Sequence, residues 1–145
     1  MLPSLALNTF WPRLHPRHYR RLVRASALYD LLLTIGFATP WTLAALLPQL
    51  SALNQALGGQ AFPAFGPLHA LFCHLMGSLV TVWALLRLRR PQRHLGRFDA
   101  AARALFSLWM AHAWWQTQAP LLLLFLGPEL LWGLAQAWPI RQLDR

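Results

Sequence analysis

From Ala25 onward the chain reads as long apolar runs separated by connectors that are either crowded with arginine or uncharged. Four runs, at about 25–47, 67–86, 98–116 and 119–138, each approach the ~20 residues with which an α-helix crosses a ~30 Å hydrocarbon layer. The pattern predicts an all-α fold, an integral membrane antiparallel four-helix bundle over residues 25–138. Only Thr117-Gln118-Ala119-Pro120 separates the last two runs, which predicts a tight helical hairpin.

The flanking segments have patterns of their own. Residues 1–24 mix Leu2, Leu5, Leu7, Phe10, Trp11 and Leu14 with Arg13, Arg17, Arg20, Arg21 and Arg24, and are broken by Pro3, Pro12 and Pro16. Such a basic amphipathic segment is expected to lie on the cytoplasmic interface, with Pro16 in the first turn of a helix that enters span one. No cleavable secretory signal is visible, so the segment is expected to be retained. In the uncharged connector, Leu50, Leu53, Asn54 and Leu57 recur at helical spacing after Pro48, and Gly58-Gly59 closes the stretch. This predicts a short helix on the outer interface, read as a lid, with an entrance for an apolar ligand as the alternative. Residues 139–145 form a cytoplasmic tail. Trp83 and Trp138 fall near inner ends and Trp114 and Trp115 near an outer end, as interfacial belts do. Trp41 and Trp109 are expected deeper, between helices.

Composition sharpens this reading. Of the residues, 57% are hydrophobic and 12% charged, where a soluble domain carries about 25% charged. All 13 cations are arginine and the net charge is +9. These arginines flank apolar runs instead of forming a free basic face, which excludes nucleic acid as the partner and points to anionic lipid headgroups. Arginines precede span one, fill the connector between spans two and three, and close the chain, whereas the other two connectors have none. By the positive-inside rule both termini are cytoplasmic, in a bacterial inner membrane. The single cysteine, Cys73, excludes an intramolecular disulfide or a multi-cysteine centre. Phosphate loops, nucleophile elbows and HExxH motifs are absent, so neither independent catalytic machinery nor a resident cofactor is expected.

Polar residues inside spans are the informative minority, because a charge at mid-bilayer costs about 2.5–3.5 kcal/mol on insertion scales. Asp99 and Arg103, one turn apart with the acid first, suit a helical pair, from which Arg103 is expected to snorkel to water. Asp30 stands at similar depth, and an Asp30–Arg103 clamp between helices is the leading reading, with an ion- or proton-handling carboxylate as its rival. Glu129 follows Gly127-Pro128 in the middle of span four, where proline frees a carbonyl and breaks the helix; it shares a face with Gly133 and Gln136. Two readings are open: a hydrogen-bonded neutral acid, or a functional one. His74, His112 and Glu129 would together make a two-histidine, one-carboxylate set for a metal, or a haem if the histidines faced each other. The alternative pairs His74 with Ser78 and His112 with Gln116. Ala70, Cys73, Gly77, Thr81 and Ala84 form a small-residue stripe that predicts the packing seam of span two, closest at Gly77.

The four-span plan with cytoplasmic termini, the acid after an aromatic in Tyr29-Asp30, and the polar residues within later spans resemble the DoxX-like group of small bacterial membrane proteins. The resemblance is one of topology and carries no functional residue across. The expected role is an accessory subunit or a small apolar-ligand-binding protein of the envelope, with a membrane-protein partner or a second copy of the chain as its associate. The alternatives are a redox, metal, haem or quinone protein using His74, His112 and Glu129, and a proton-linked transporter working as an oligomer through Glu129.

Overall fold

The computed structural model describes residues 13–140. Within them the chain is helical: α1 (Pro16–Thr34), α2 (Pro40–Ala56), α3 (Pro67–Arg89), α4 (Arg93–Thr117) and α5 (Leu121–Ala137), with one 3-10 turn at Ile35–Phe37. The apolar residues expected on the interface before Arg13, and Arg141 and Arg145 of the tail, lie outside the described residues.

The helices start and stop where local chemistry dictates. Proline occupies the first turn of α1, α2 and α3, where its missing N–H costs nothing. His15 caps α1 by accepting from the Arg17 N–H at 3.2 Å. Thr39 caps α2 by accepting from the Thr42 N–H at 3.2 Å. α4 ends on Gln118, whose left-handed backbone (φ 52°) turns the chain into the α4–α5 hairpin.

Contacts between ends define the arrangement. The Tyr19 hydroxyl donates to the Gln136 carbonyl at 2.8 Å, and Arg97 donates to the Ala137 carbonyl at 2.7 Å. The Leu14 N–H reaches the Pro139 carbonyl at 2.9 Å. The start of α1, the end of α3, the start of α4 and the end of α5 therefore meet at one end of the molecule. Nine exposed arginines, at 13, 17, 20, 21, 24, 89, 90, 93 and 97, gather there. Residues 139 and 140 pack back on α1, with Ile140 joining Tyr19 and Val23 in a small core, so they do not behave as a free tail. At the opposite end Asn54, buried near the end of α2, accepts from the Leu121 N–H at 3.1 Å and so caps α5. α1 packs along α3 and α5 along α4, whereas α3 and α4, consecutive in the chain, stand apart.

Three expectations are corrected. Span one is not a continuous helix over 25–47: α1 stops at Thr34, and α2 leaves at 100° to it. Pro40 has no N–H for the carbonyl one turn back and sets the first turn of a new helix instead. The expected outer helix near 48–57 is accordingly the second half of α2, with Pro48 inside it. Trp41 and Trp109 do not lie between helices; they are 80% and 61% exposed. By length and composition, one described helix, α3, suffices alone to cross a membrane. α1 with the 3-10 turn and α2 pass that test only as a bent pair, and α5 is apolar but 17 residues long.

The small-residue stripe of α3 faces α1 and the 3-10 turn. A Cβ on Gly77 would lie 2.6 Å from the Phe37 carbonyl carbon and 2.7 Å from the Ala38 nitrogen, both backbone atoms that have no rotamer to yield. Ala84 is fully buried further along the stripe. Gly77→Ala is therefore expected to lower stability by about 1–3 kcal/mol through overpacking. Gly127→Ala, where nothing lies within 4 Å, should be neutral or gain up to ~1 kcal/mol of helix propensity. Thermal unfolding of the two purified variants, followed by circular dichroism, checks this; equal melting temperatures would contradict the close approach at Gly77.

Candidate functional site

Most of the largest fully buried side chains are polar. Arg87, Ser26 and Gln136 are fully enclosed, with Arg103 and Asn54 nearly so, whereas leucines, phenylalanines and tryptophans cover the outside. Four of the helices send a charged group to one level. Asp30 comes from α1, Arg87 from the last turn of α3, Asp99 and Arg103 from the first half of α4, and Glu129 from α5.

Arg103 spends every guanidinium nitrogen on a different acid. Its Nε donates to Asp99 at 3.1 Å, one Nη to Glu129 at 2.9 Å, and the other to both oxygens of Asp30 at 2.6 and 2.7 Å. Arg87 donates to Asp30 at 2.5 Å, to Asp99, and more distantly to the Ser26 hydroxyl at 3.5 Å. The Trp83 indole N–H donates to the remaining oxygen of Asp99 at 2.8 Å, and the Arg87 guanidinium lies 5.6 Å from the centre of the Trp83 ring. A polar seam continues to the arginine-rich end, where the Gln136 amide donates to Ser26 at 2.6 Å. A planar guanidinium suits this role because its donors fan out in a fixed fork.

The sequence places Asp30, Asp99, Arg103 and Glu129 as candidates, and all four meet here. Arg103 does not snorkel; it is 2% exposed. Arg87 falls in the arginine-rich connector that the sequence assigns to the interface, yet it is fully buried in the cluster and pairs with Asp30 and Asp99. One signal for it existed: Arg87 follows Ala84 by three residues and so continues the stripe that faces α1. Trp83, assigned to an interfacial belt, is likewise part of the cluster.

The histidines go elsewhere. His74 Nδ1 pairs with the Phe37 carbonyl at 3.0 Å instead of Ser78, holding the 3-10 turn against α3. His112 is exposed and meets the edge of Trp109, with ring centres 6.4 Å apart. His74, His112 and Glu129 therefore form no shared donor set, and among the described residues no three His, Cys, Asp or Glu side chains are placed to hold a metal ion. Facing axial histidines for a haem are missing from these pairings too.

The gap between α3 and α4 is a cavity of about 720 Å³. Phe37, Leu46 and Leu50 close one end, from the 3-10 turn and α2, while Trp83, Asp99, Arg103 and Glu129 form the other. Its side walls are apolar, among them Phe106, Met110, Ala113 and Phe125. Leu79 and Trp109 line it yet remain mostly exposed, and Met76 is half-exposed, so it opens sideways. Glu129 is the acid that faces it with the fewest donors: one, on Oε2.

Removing one partner from such a cluster leaves an uncompensated buried charge. Arg87→Leu is expected to cost about 3–5 kcal/mol, and Asp99→Asn in the same chain should recover part of that loss. Arg89→Leu, on the exposed surface, should leave stability unchanged. Denaturant or thermal unfolding of the purified variants measures the three, and an Arg87→Leu chain as stable as Arg89→Leu would refute the central role of Arg87.

No family model, curated protein or solved structure matches this chain. What the protein does is therefore read from the cluster and the cavity it closes.

Proposed function

We propose that this is a multi-pass protein of the bacterial cytoplasmic membrane, an antiparallel bundle of α1, α3, α4 and α5. In this reading it binds a small ligand with an apolar body in the cavity between α3 and α4. The observation that carries the proposal is the cavity itself, apolar along its walls and charged at one end. Its volume falls within the ~300–1,000 Å³ usual for small-molecule sites, where a few placed polar groups fix orientation. The ligand's polar end rests against Glu129 and Arg103, and its body lies along Phe106, Met110 and Phe125.

The polarity of the molecule supports the membrane. Leu32, Leu68, Phe72, Leu79, Val82, Leu131 and Leu134 point outward and are largely exposed. In water so continuous an apolar exterior is an association hazard; in hydrocarbon it is the solvated face. The nine exposed arginines at one end fit the cytoplasmic leaflet, and in this reading α2 and both uncharged connectors face outside. α2, leaving α1 at 100°, then lies along the outer interface and closes the cavity from above. The DoxX-like resemblance is kept as a topological proposal and adds no ligand.

Tryptophan at Ala113, a wall position of the cavity, tests the reading. Solvent extraction of the detergent-purified wild-type chain, followed by mass spectrometry, should yield a stoichiometric apolar molecule. The Ala113→Trp chain should keep its helicity and its need for detergent, and lose that molecule. A wild-type chain that stays soluble without detergent, or a filled cavity that retains the molecule, would overturn the proposal.

A further inference from the structure

The cluster contains an imbalance that its structural role does not require. Asp30, Asp99 and Glu129 face Arg87 and Arg103, so three acids meet two permanent cations. Arginine stays charged in proteins. With all three carboxylates ionised, one negative charge is left over at the end of an apolar cavity, and no further cation lies within salt-bridge reach of these acids among the described residues. Two things discharge it: a proton on one carboxyl, or a cation drawn from the cavity.

The geometry decides where the exchangeable charge sits. Asp30 accepts from both arginines, and Asp99 accepts from both arginines and Trp83. Glu129 accepts only from Arg103, on one oxygen, and its side chain is 13% exposed toward the cavity. The groups that face it are Arg103 and Asp99 from α4 and Asp30 and Tyr29 from α1, with Arg87 of α3 one partner further away. A small inorganic cation needs a shell of about six oxygens, which one uncommitted carboxylate oxygen does not supply. A bulky organic cation needs one counter-charge and a large apolar surface, and Phe106, Trp109 and Phe125 add aromatic faces that attract a cation.

We propose that the cavity takes a lipophilic organic monocation in exchange for a single proton held on Glu129. The inference deepens the ligand-binding reading above and rests on it. In the empty state the Glu129 carboxyl keeps its O–H and the cluster is neutral. When the cation enters, the O–H bond breaks, the proton leaves to bulk water, and the carboxylate becomes the counter-ion of the bound cation. Charge is conserved, and no other reactant is needed. An anion of the same shape gains no counter-charge while Glu129 is protonated and meets repulsion once it ionises.

Isothermal titration of the full chain in detergent tests the exchange, with tetraphenylphosphonium as the cation and tetraphenylborate as an anion of the same shape. Tetraphenylphosphonium is expected to bind while tetraphenylborate is not. Titration in two buffers of different ionisation enthalpy should show one proton released per cation. Affinity should rise about tenfold per pH unit over the range where Glu129 is still protonated in the empty chain. Glu129→Gln, which fixes the cluster in its neutral form, should bind the cation at least about tenfold more weakly and release no proton. Equal binding of both ions, no proton release, or unchanged affinity in Glu129→Gln overturns the exchange. These failures are separable from failure of the cavity: binding of both ions that Ala113→Trp abolishes leaves the cavity standing, whereas cation binding that survives Ala113→Trp removes it too. The ion comparison and the proton count use the wild-type chain, so they hold even where a variant fails to fold.

Discussion

A guanidinium group enclosed by apolar helices has to find an acceptor for each of its donors, because the cost of an unpaired buried charge is several kcal/mol. Arg103 pairs all three guanidinium nitrogens and Arg87 both of its Nη atoms, with the Arg87 Nε left unpaired; the acids they draw to one level fix how the helices meet. Arg87 brings α3 to α1 through Asp30 and to α4 through Asp99. Arg103 brings α4 to α1 and α5. Among the described residues, the side-chain hydrogen bonds between α3 and α4 are those that converge on Asp99. Away from that level, nothing closes the two helices together, and the gap remains as the cavity.

The hydropathy pattern shows that helices exist and roughly where, because long apolar runs and arginine-rich connectors are coarse signals. α3 begins at the expected Pro67, and the α4–α5 hairpin turns at the expected residues. Asp30, Asp99, Arg103 and Glu129 stand out for the same reason, as charges inside apolar runs. Arg87 does not, since it sits at the end of a run beside Arg89 and Arg90, where an arginine ordinarily meets water. What distinguishes it is which face of α3 it continues, a property of the partner helix as much as of its own sequence. The histidines mislead in the opposite direction. His74 draws attention as a ligand, but its ring pairs with a backbone carbonyl left open where the 3-10 turn interrupts α1.

That interruption is the largest departure from the expected plan, and its signal was local. Hydropathy averages over Gly36, Thr39 and Pro40 and sees one uninterrupted span. Capping chemistry sees a helix end followed by a threonine N-cap and a first-turn proline. The consequence reaches the cavity, because α2 folds back over the break: a Cβ on Gly36 would lie 2.9 Å from the Leu46 side chain, and Leu46 and Leu50 line the end opposite the cluster. A continuous helix would carry those leucines away from the cavity and leave that end uncovered.

The cluster also allows structural and functional acids to be separated. Asp30 and Asp99 are each shared between the two arginines, so the junction of α1, α3 and α4 needs both. Glu129 joins α5, but α5 is anchored without it. Gln136 bonds to Ser26 and Tyr19, Arg97 caps its last carbonyls, Asn54 caps its first turn, and α4 packs along its length. Two arginines with two aspartates would already be neutral, and burying a third acid beside them adds a desolvation cost that one donor from Arg103 offsets only in part. The third acid is not needed for the junction, and it lies where the cavity ends. On the ligand-binding reading proposed above, Glu129 is the part of the cluster that faces the ligand, and the two aspartates with the two arginines are the staple.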